Sequence, residues 1–206
     1  MAGDKYICFR DLETNEVRGE DYDFGSRKRL GAAAVVIAPH GGTIEPRTNV
    51  IADSIAGNDF SFYFFKALKA GSRLHIGSHL FDEPTCLKLV AEHQYVVSIH
   101  GWGEDGERAC IGGRDKEVIE VMKTELISRG IEVEEAEGAL RGMDAMNITN
   151  RGMTGRGVQF ELTMALRRNK ALLNKFTAGV RSVLLAAQSR VKAGQSPAKA
   201  SSARQA

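Results

Sequence analysis

Short apolar runs alternating with helix-like segments are the strongest limit on how this chain of 206 residues can fold. Residues 32–38 form an unbroken apolar run closed by Pro39, the pattern of a strand buried on both faces. Residues 95–99 read as a central strand of the same kind and residues 60–65 as an aromatic-rich one, while 74–76 and 131–133 are shorter candidates. Residues 158–162 alternate instead, with Val158, Phe160 and Leu162 on one face and Gln159 and Glu161 on the other. Helical signals fall between them. Residues 48–56 end at Gly57, and residues 82–93 carry Pro84 in the first turn. Residues 114–129 show a Val118, Met122, Leu126 stripe closed by Gly130, and residues 169–192 make the longest pattern. This alternation predicts an α/β fold: a single three-layer domain with a mixed, mostly parallel open sheet and helices on both faces. Residues 1–186 are assigned to that domain, and 187–206 to a helix end and a disordered basic tail. Residues 138–157, rich in Gly and Arg and without periodicity, make an irregular stretch of a length usually kept for function.

Charge separates the same two regions. The chain has 28 Lys and Arg against 26 Asp and Glu, a formal charge of +2. Glu161 is the last carboxylate, and the residues beyond it hold nine Lys and Arg, so residues 1–161 carry 26 acids against 19 bases, a net of −7. That distribution excludes the domain-wide basic stripe of a nucleic-acid binder. The three cysteines Cys8, Cys86 and Cys110 form no CxxC pair, which points to a reducing compartment and no disulfide framework. The polar, acidic start lacks the order of a signal peptide, and no stretch reaches the ~18 apolar residues of a membrane span. The expectation is a soluble cytoplasmic protein, a monomer with no nucleic-acid or membrane partner, which cell lysis would release to act outside.

In open α/β sheets, ligands bind beyond the carboxyl ends of the strands. His40 and His100 fall at two such ends, and each is followed at once by glycine, in His40-Gly41-Gly42 and His100-Gly101. Glu45 lies five residues past His40, near enough to return through the glycine turn. Two imidazoles and one carboxylate, with a fourth position for water, are the ligand composition of catalytic zinc hydrolases. By spacing alone each histidine is as readily a hydrogen-bonded structural residue. His93 sits at a helix end, where a cation suits the dipole. His75 and His79 flank a turn that could face substrate or merely lead into a helix. Glu161, a carboxylate inside an apolar strand, is either a solvent-facing residue of an edge strand or a general base tuned by burial. Arg151 and Arg156 suit an anionic substrate, although a loop arginine is more often plain surface charge. The Gly101-x-Gly103-x-x-Gly106 spacing is rejected as a dinucleotide loop because Glu104 and Asp105 stand where a pyrophosphate would sit.

Four ordered blocks carry a resemblance. They are His40-Gly41-Gly42-Thr43-Ile44-Glu45-Pro46-Arg47-Thr48, Ser78-His79-Leu80-Phe81-Asp82-Glu83-Pro84, Ser98-Ile99-His100-Gly101, and Asn150-Arg151-Gly152 through Leu162. Together they resemble the poly-γ-glutamate hydrolase family of phages and their bacterial hosts, described as zinc-dependent and related in architecture to metallocarboxypeptidases. The resemblance implies cleavage of γ-glutamyl amide bonds, with one Zn²⁺ held by His40, Glu45 and His100. It implies Glu161 as the general base and Arg151 and Arg156 as substrate-carboxylate or oxyanion-binding residues. Arg47 and His79 are the further substrate-binding candidates, and an anionic polymer or peptide is the expected partner. Two alternatives share the constellation: a metal amidohydrolase acting on a small N-acyl amino acid or cell-wall γ-glutamyl peptide, and a non-catalytic binding protein on the same fold.

Overall fold

The computed structural model describes residues 4–70 and 73–194. In chain order the elements are α1 (Phe9–Asn15), β1 (Tyr22–Arg27), β2 (Ala34–Gly42), α2 (Thr48–Ala56), β3 (Ser61–Ala67), α3 (Pro84–Ala91) and β4 (Tyr95–Trp102). They continue with β5 (Arg108–Gly113), α4 (Lys116–Ser128), β6 (Glu132–Glu135), β7 (Val158–Thr163), α5 (Met164–Arg168) and α6 (Lys170–Lys192). The strands form one seven-stranded sheet in the order β1-β3-β2-β4-β7-β5-β6. The β3–β2, β2–β4, β4–β7 and β5–β6 pairings are parallel, and β1–β3 and β7–β5 antiparallel. The sheet is therefore mixed and mostly parallel, within a single α/β domain.

Side-chain alternation divides the core into two layers. Ala34, Val36, Tyr95, Val97, Ile99, Val158, Phe160 and Leu162 face one way, where residues of α2, α4 and α6 join them in the larger cluster. Val35, Ile37 and Val96 face the other way and pack with residues of α1 and α3. The Phe160 and Phe176 rings meet edge-on at 5.1 Å, fastening α6 to β7. Helices thus cover both faces, and the domain has three layers.

Several sequence expectations are corrected. The apolar run does not stop at Pro39: β2 continues to Gly42. The β2–β3 register shifts between Ala38 and Gly41, and Pro39 falls within that irregularity, where a missing N–H removes no ladder bond. Leu74, His75 and Ile76 are extended but pair with no strand. Strands β1 and β5 and helix α1 have no counterpart in the sequence reading. The tail begins after α6 ends at Lys192, and its residues 195–206 lie outside the described residues. Cys8, Cys86 and Cys110 are all unpaired. Among the described residues, no helix is long and apolar enough to cross a membrane.

Candidate metal centre

Chain direction places the site. From β2 the chain moves outward to β3, then returns across β2 to β4, so the order reverses between β2 and β4. The carboxyl ends of two parallel strands open into a crevice at such a switch point. His40, near the end of β2, and His100, near the end of β4, both stand there. Parallel pairing of β4 with β7 sets His100 beside Glu161 as Cα partners.

Glu45 is brought back by a short turn. Its N–H donates to the His40 carbonyl at 2.8 Å, and Thr48 Oγ1 donates to the Glu45 carbonyl at 2.8 Å. Arg47, with φ of 78°, is the one non-glycine described residue in the left-handed region, a strain that costs about 1–3 kcal/mol and persists only where its surroundings enforce it. The glycine after each histidine has a steric reason. A Cβ on Gly101 would lie 2.9 Å from the Glu45 Cβ and 2.7 Å from a guanidinium nitrogen of Arg167. One on Gly41 would lie 2.8 Å from the Asn49 Cβ.

The result is a tight donor set. One atom from each of His40, Glu45 and His100 can be chosen so that all lie within 4.8 Å of one another. His40 Nδ1 is 3.0 Å from Glu45 Oε1 and 3.1 Å from His100 Nδ1, and His100 Nδ1 is 3.5 Å from Glu45 Oε2. The opposite nitrogen of His40, Nε2, is 2.9 Å from the Ile76 carbonyl, which can only accept, so Nε2 carries the proton. In neutral His40 the Nδ1 lone pair therefore points at Glu45 Oε1 and His100 Nδ1. Acceptors that close need a proton or a cation between them. The backbone anchor on the far nitrogen is the usual way a metal-binding imidazole is oriented. His100 Nε2 is buried without a partner. Two imidazoles and a carboxylate are a donor set suited to zinc, so these residues fit the ion.

Burial opposes every charge in the cluster, and partners decide the net result. Burial lowers the His40 pKa by more than Glu45 restores. Burial also opposes charge on His100, but Glu161 and Glu45 outweigh it and the shift is upward. Burial would raise Glu45, yet His40 and His100 prevail and hold its carboxyl well below the usual carboxylate range. Glu161 differs: burial pushes it up to about 7, with Glu45 adding to the rise and His100 opposing it. Without a metal, His100 is thus the imidazole that its carboxylate neighbours favour in the charged form, and a metal cation would compete with that proton.

A cavity of about 660 Å³ opens over the cluster. Its walls include His75 and His79, and across from them residues of the irregular stretch from Gly138 to Asn147. His75 Nδ1 lies 2.7 Å from Asp4 Oδ1, and its ring centroid is 4.1 Å from that of His40. His79 is exposed on the rim. Gln159 Nε2 donates to Glu161 Oε1 at 3.2 Å, so the alternation of β7 points both polar side chains into the cavity.

The arginines expected at the site are elsewhere. Arg156 precedes the first residue of β7, whereas Glu161 lies near the end of that strand. A strand rises ~3.3 Å per residue, so Arg156 stands beyond the amino-terminal end of β7, away from the end that carries Glu161. Its charge acts on Asp115 and Tyr95 instead. Arg151 acts on Cys86 of α3, and neither arginine lines the cavity. Arg47 is exposed at the start of α2 and also stands outside the cavity walls. His93 is not a surface cation on a helix dipole. It is buried, with its ring nitrogens 2.7 Å from the Leu89 carbonyl and 2.8 Å from Ser61 Oγ, and burial lowers its pKa. Glu161 is on an interior strand, between β4 and β5.

Arg167 was missed from the sequence. Buried in α5, it donates to the Pro46 carbonyl at 2.6 Å and reaches the Trp102 carbonyl at 3.4 Å, tying the Glu45 turn to the end of β4. Nothing local distinguishes it from Arg168, its exposed neighbour.

The sequence profile described as poly-gamma-glutamate hydrolase matches residues 6–184. The protein YmaC of Bacillus subtilis (strain 168) is 35% identical over 168 residues, covering 80% of this chain and 71% of its own length. Among solved structures, a bacteriophage poly-gamma-glutamate hydrolase superposes with a TM-score of 0.84 at 27% identity, covering 91% of this chain and 99% of that one. A zinc-free apo form of YndL superposes with a TM-score of 0.79 at 28% identity, covering 90% and 99%.

Proposed function

The chain belongs to the poly-γ-glutamate hydrolase family, and from that premise we propose that it hydrolyses the γ-glutamyl amide bonds of poly-γ-glutamate with one zinc ion held by His40, Glu45 and His100. The observation that carries this reading is the convergence of those three side chains at the floor of the cavity, with Glu161 beside them. A zinc ion there would supply Lewis-acid polarisation of the scissile carbonyl and bring the pKa of water toward about 7.

The chain's own residues do the rest. Glu161 is poised to take a proton from the attacking water and to return it to the departing α-amine. Burial raises that carboxyl above the usual range in the metal-free protein, which suits a group that must both take and return a proton. Gln159 holds Oε1 of that carboxylate, which leaves Oε2 for the proton. His40 keeps its Nδ1 lone pair facing inward through the Nε2 bond to Ile76, and Arg167 holds the Glu45 turn against β4. His79 on the rim and His75 beside His40 are the histidines placed to meet substrate.

The test measures zinc per chain and the molecular weight of poly-γ-glutamate after incubation. One zinc ion per chain and a fall in polymer size that a chelator abolishes are expected. An unchanged polymer would overturn the reading. Cleavage of a small N-acyl amino acid or γ-glutamyl peptide would then favour the smaller-substrate enzyme, and cleavage of neither a binding protein.

A further inference from the structure

A polyanionic substrate entering this cavity meets Glu45, Asp144 and Glu161, and a domain whose first 161 residues sum to −7. Something on the wall must offset that charge. Among the described residues, Arg141 is the only lysine or arginine lining the cavity. We propose that Arg141 is a specificity-determining residue whose guanidinium takes the free α-carboxylate of a glutamyl unit flanking the scissile bond. This deepens the poly-γ-glutamate reading and rests on it.

Two features make Arg141 suited to the task. First, its side chain is exposed and makes no hydrogen bond or ion pair among the described residues. It also borders a small cavity of about 50 Å³ that Glu120 and Glu135 share, yet it pairs with neither, and Glu135 is bonded to Lys123. A guanidinium fork without a partner can bind a carboxylate bidentately.

Second, the backbone that carries it is fixed on both sides. The preceding Leu140 carbonyl accepts from Gln159 Nε2 at 2.9 Å, and the following Gly142 carbonyl accepts from Asn150 Nδ2 at 2.7 Å. Gly142 adopts a φ of 60°, and a Cβ there would collide with Gln159 Oε1. Asn147 Nδ2 donates to that same Oε1 at 3.0 Å. One buried amide, that of Gln159, therefore anchors both the Arg141 backbone and the Glu161 carboxylate. The spacing between the Arg141 backbone and the base is set by the fold, and the arginine side chain reaches from that fixed point. By contrast, Arg167 is committed to the Pro46 and Trp102 carbonyls, and Arg151 and Arg156 stand outside the cavity.

The experiment compares wild type, Arg141→Gln and Arg141→Lys on two substrates: a γ-linked oligoglutamate, and the same oligomer with its α-carboxyls converted to amides. Loss of one charged hydrogen-bonding partner should raise KM for the acidic oligomer about ten- to a hundredfold in Arg141→Gln. The turnover number and zinc content should stay near wild type, the amidated oligomer should show no such change, and Arg141→Lys should recover part of the loss. An equal KM change on both oligomers, or none on either, overturns the proposal. Binding of a γ-linked triglutamate to the metal-free proteins, followed by calorimetry, gives a readout independent of turnover. If wild type cleaves neither oligomer, the activity reading fails by itself. The Arg141 assignment then stands if wild type binds triglutamate at least about tenfold tighter than Arg141→Gln, and falls if the two bind alike.

Discussion

The two faces of the central strands follow different rules. On the face covered by α2, α4 and α6, side chains are apolar from one end of each strand to the other: Tyr95, Val97 and Ile99 in β4, then Val158, Phe160 and Leu162 in β7. On the opposite face the character changes part-way along. Val35, Ile37 and Val96 are core, but Ser98, His100, Gln159 and Glu161 are polar and equally buried. The first face supplies a continuous layer for helices to press on. The second gives these positions to polar side chains held by hydrogen bonds, except at His100 Nε2, which has no partner. Stability and reactivity are thus separated by less than the thickness of one sheet, with adjacent residues serving opposite ends.

Substitutions at neighbouring positions should expose that division. The largest effect belongs to Glu161→Gln, which keeps shape and should keep zinc while lowering turnover by about 10²–10⁴-fold; retention of most activity, measured as polymer shortening, would remove Glu161 from its role. Next is Phe160→Ala, one residue away on the apolar face. It should cost about 3–5 kcal/mol of stability in denaturant unfolding, yet leave turnover within a few-fold at temperatures where the fold persists. A third effect has the opposite sign. The Glu161 carboxyl sits at about 7 when folded, above its ordinary value of 4.5, so its neutral form is favoured and stability falls as pH rises between those values. Above pH 7 the metal-free Glu161→Gln protein should therefore be more stable than wild type, by up to about 3 kcal/mol, with the gap closing toward pH 4.5. A gap that does not change with pH would contradict that assignment. The smallest effect is Ser98→Ala, which breaks the 2.7 Å bond to Thr149 Oγ1 under the site and should cost about 1–2 kcal/mol.

What the sequence disclosed follows the same line. Period-two alternation in β7 is strong enough to assign Glu161 to the polar face, and the two His-Gly pairs mark strand ends, where Gly101 leaves room for Glu45 and Arg167 and Gly41 for Asn49. Helix α2 is found with its bounds unchanged, since Gly57 marks its end. Strand β5 escaped because Arg108-Ala109-Cys110-Ile111-Gly112-Gly113 is short, glycine-ended and without alternation; pairing with β7 on one side and β6 on the other makes it a strand. Arg151 and Arg156 are near Glu161 in sequence, but both precede the amino-terminal end of β7, whereas Glu161 lies toward its carboxyl end. Arg167 is placed by contacts spanning 121 and 65 residues, and Arg141 by backbone contacts of its neighbours to Gln159 and Asn150; spacing encodes neither.

The ligand arrangement also bears on how the chain acquires its shape. His40 and Glu45 are five residues apart, but the two imidazoles are separated by 60, and they meet only when β4 has docked in register beside β2. Before that, an unfolded chain offers a cation little more than a local pair. Under the zinc reading, metal loading would be a late event, coupled to completion of the sheet instead of its nucleation. An ion held there would resist unfolding by mass action, with a gain that grows with the logarithm of its free concentration. Chelation should then shorten the lifetime of the folded chain as well as silence it.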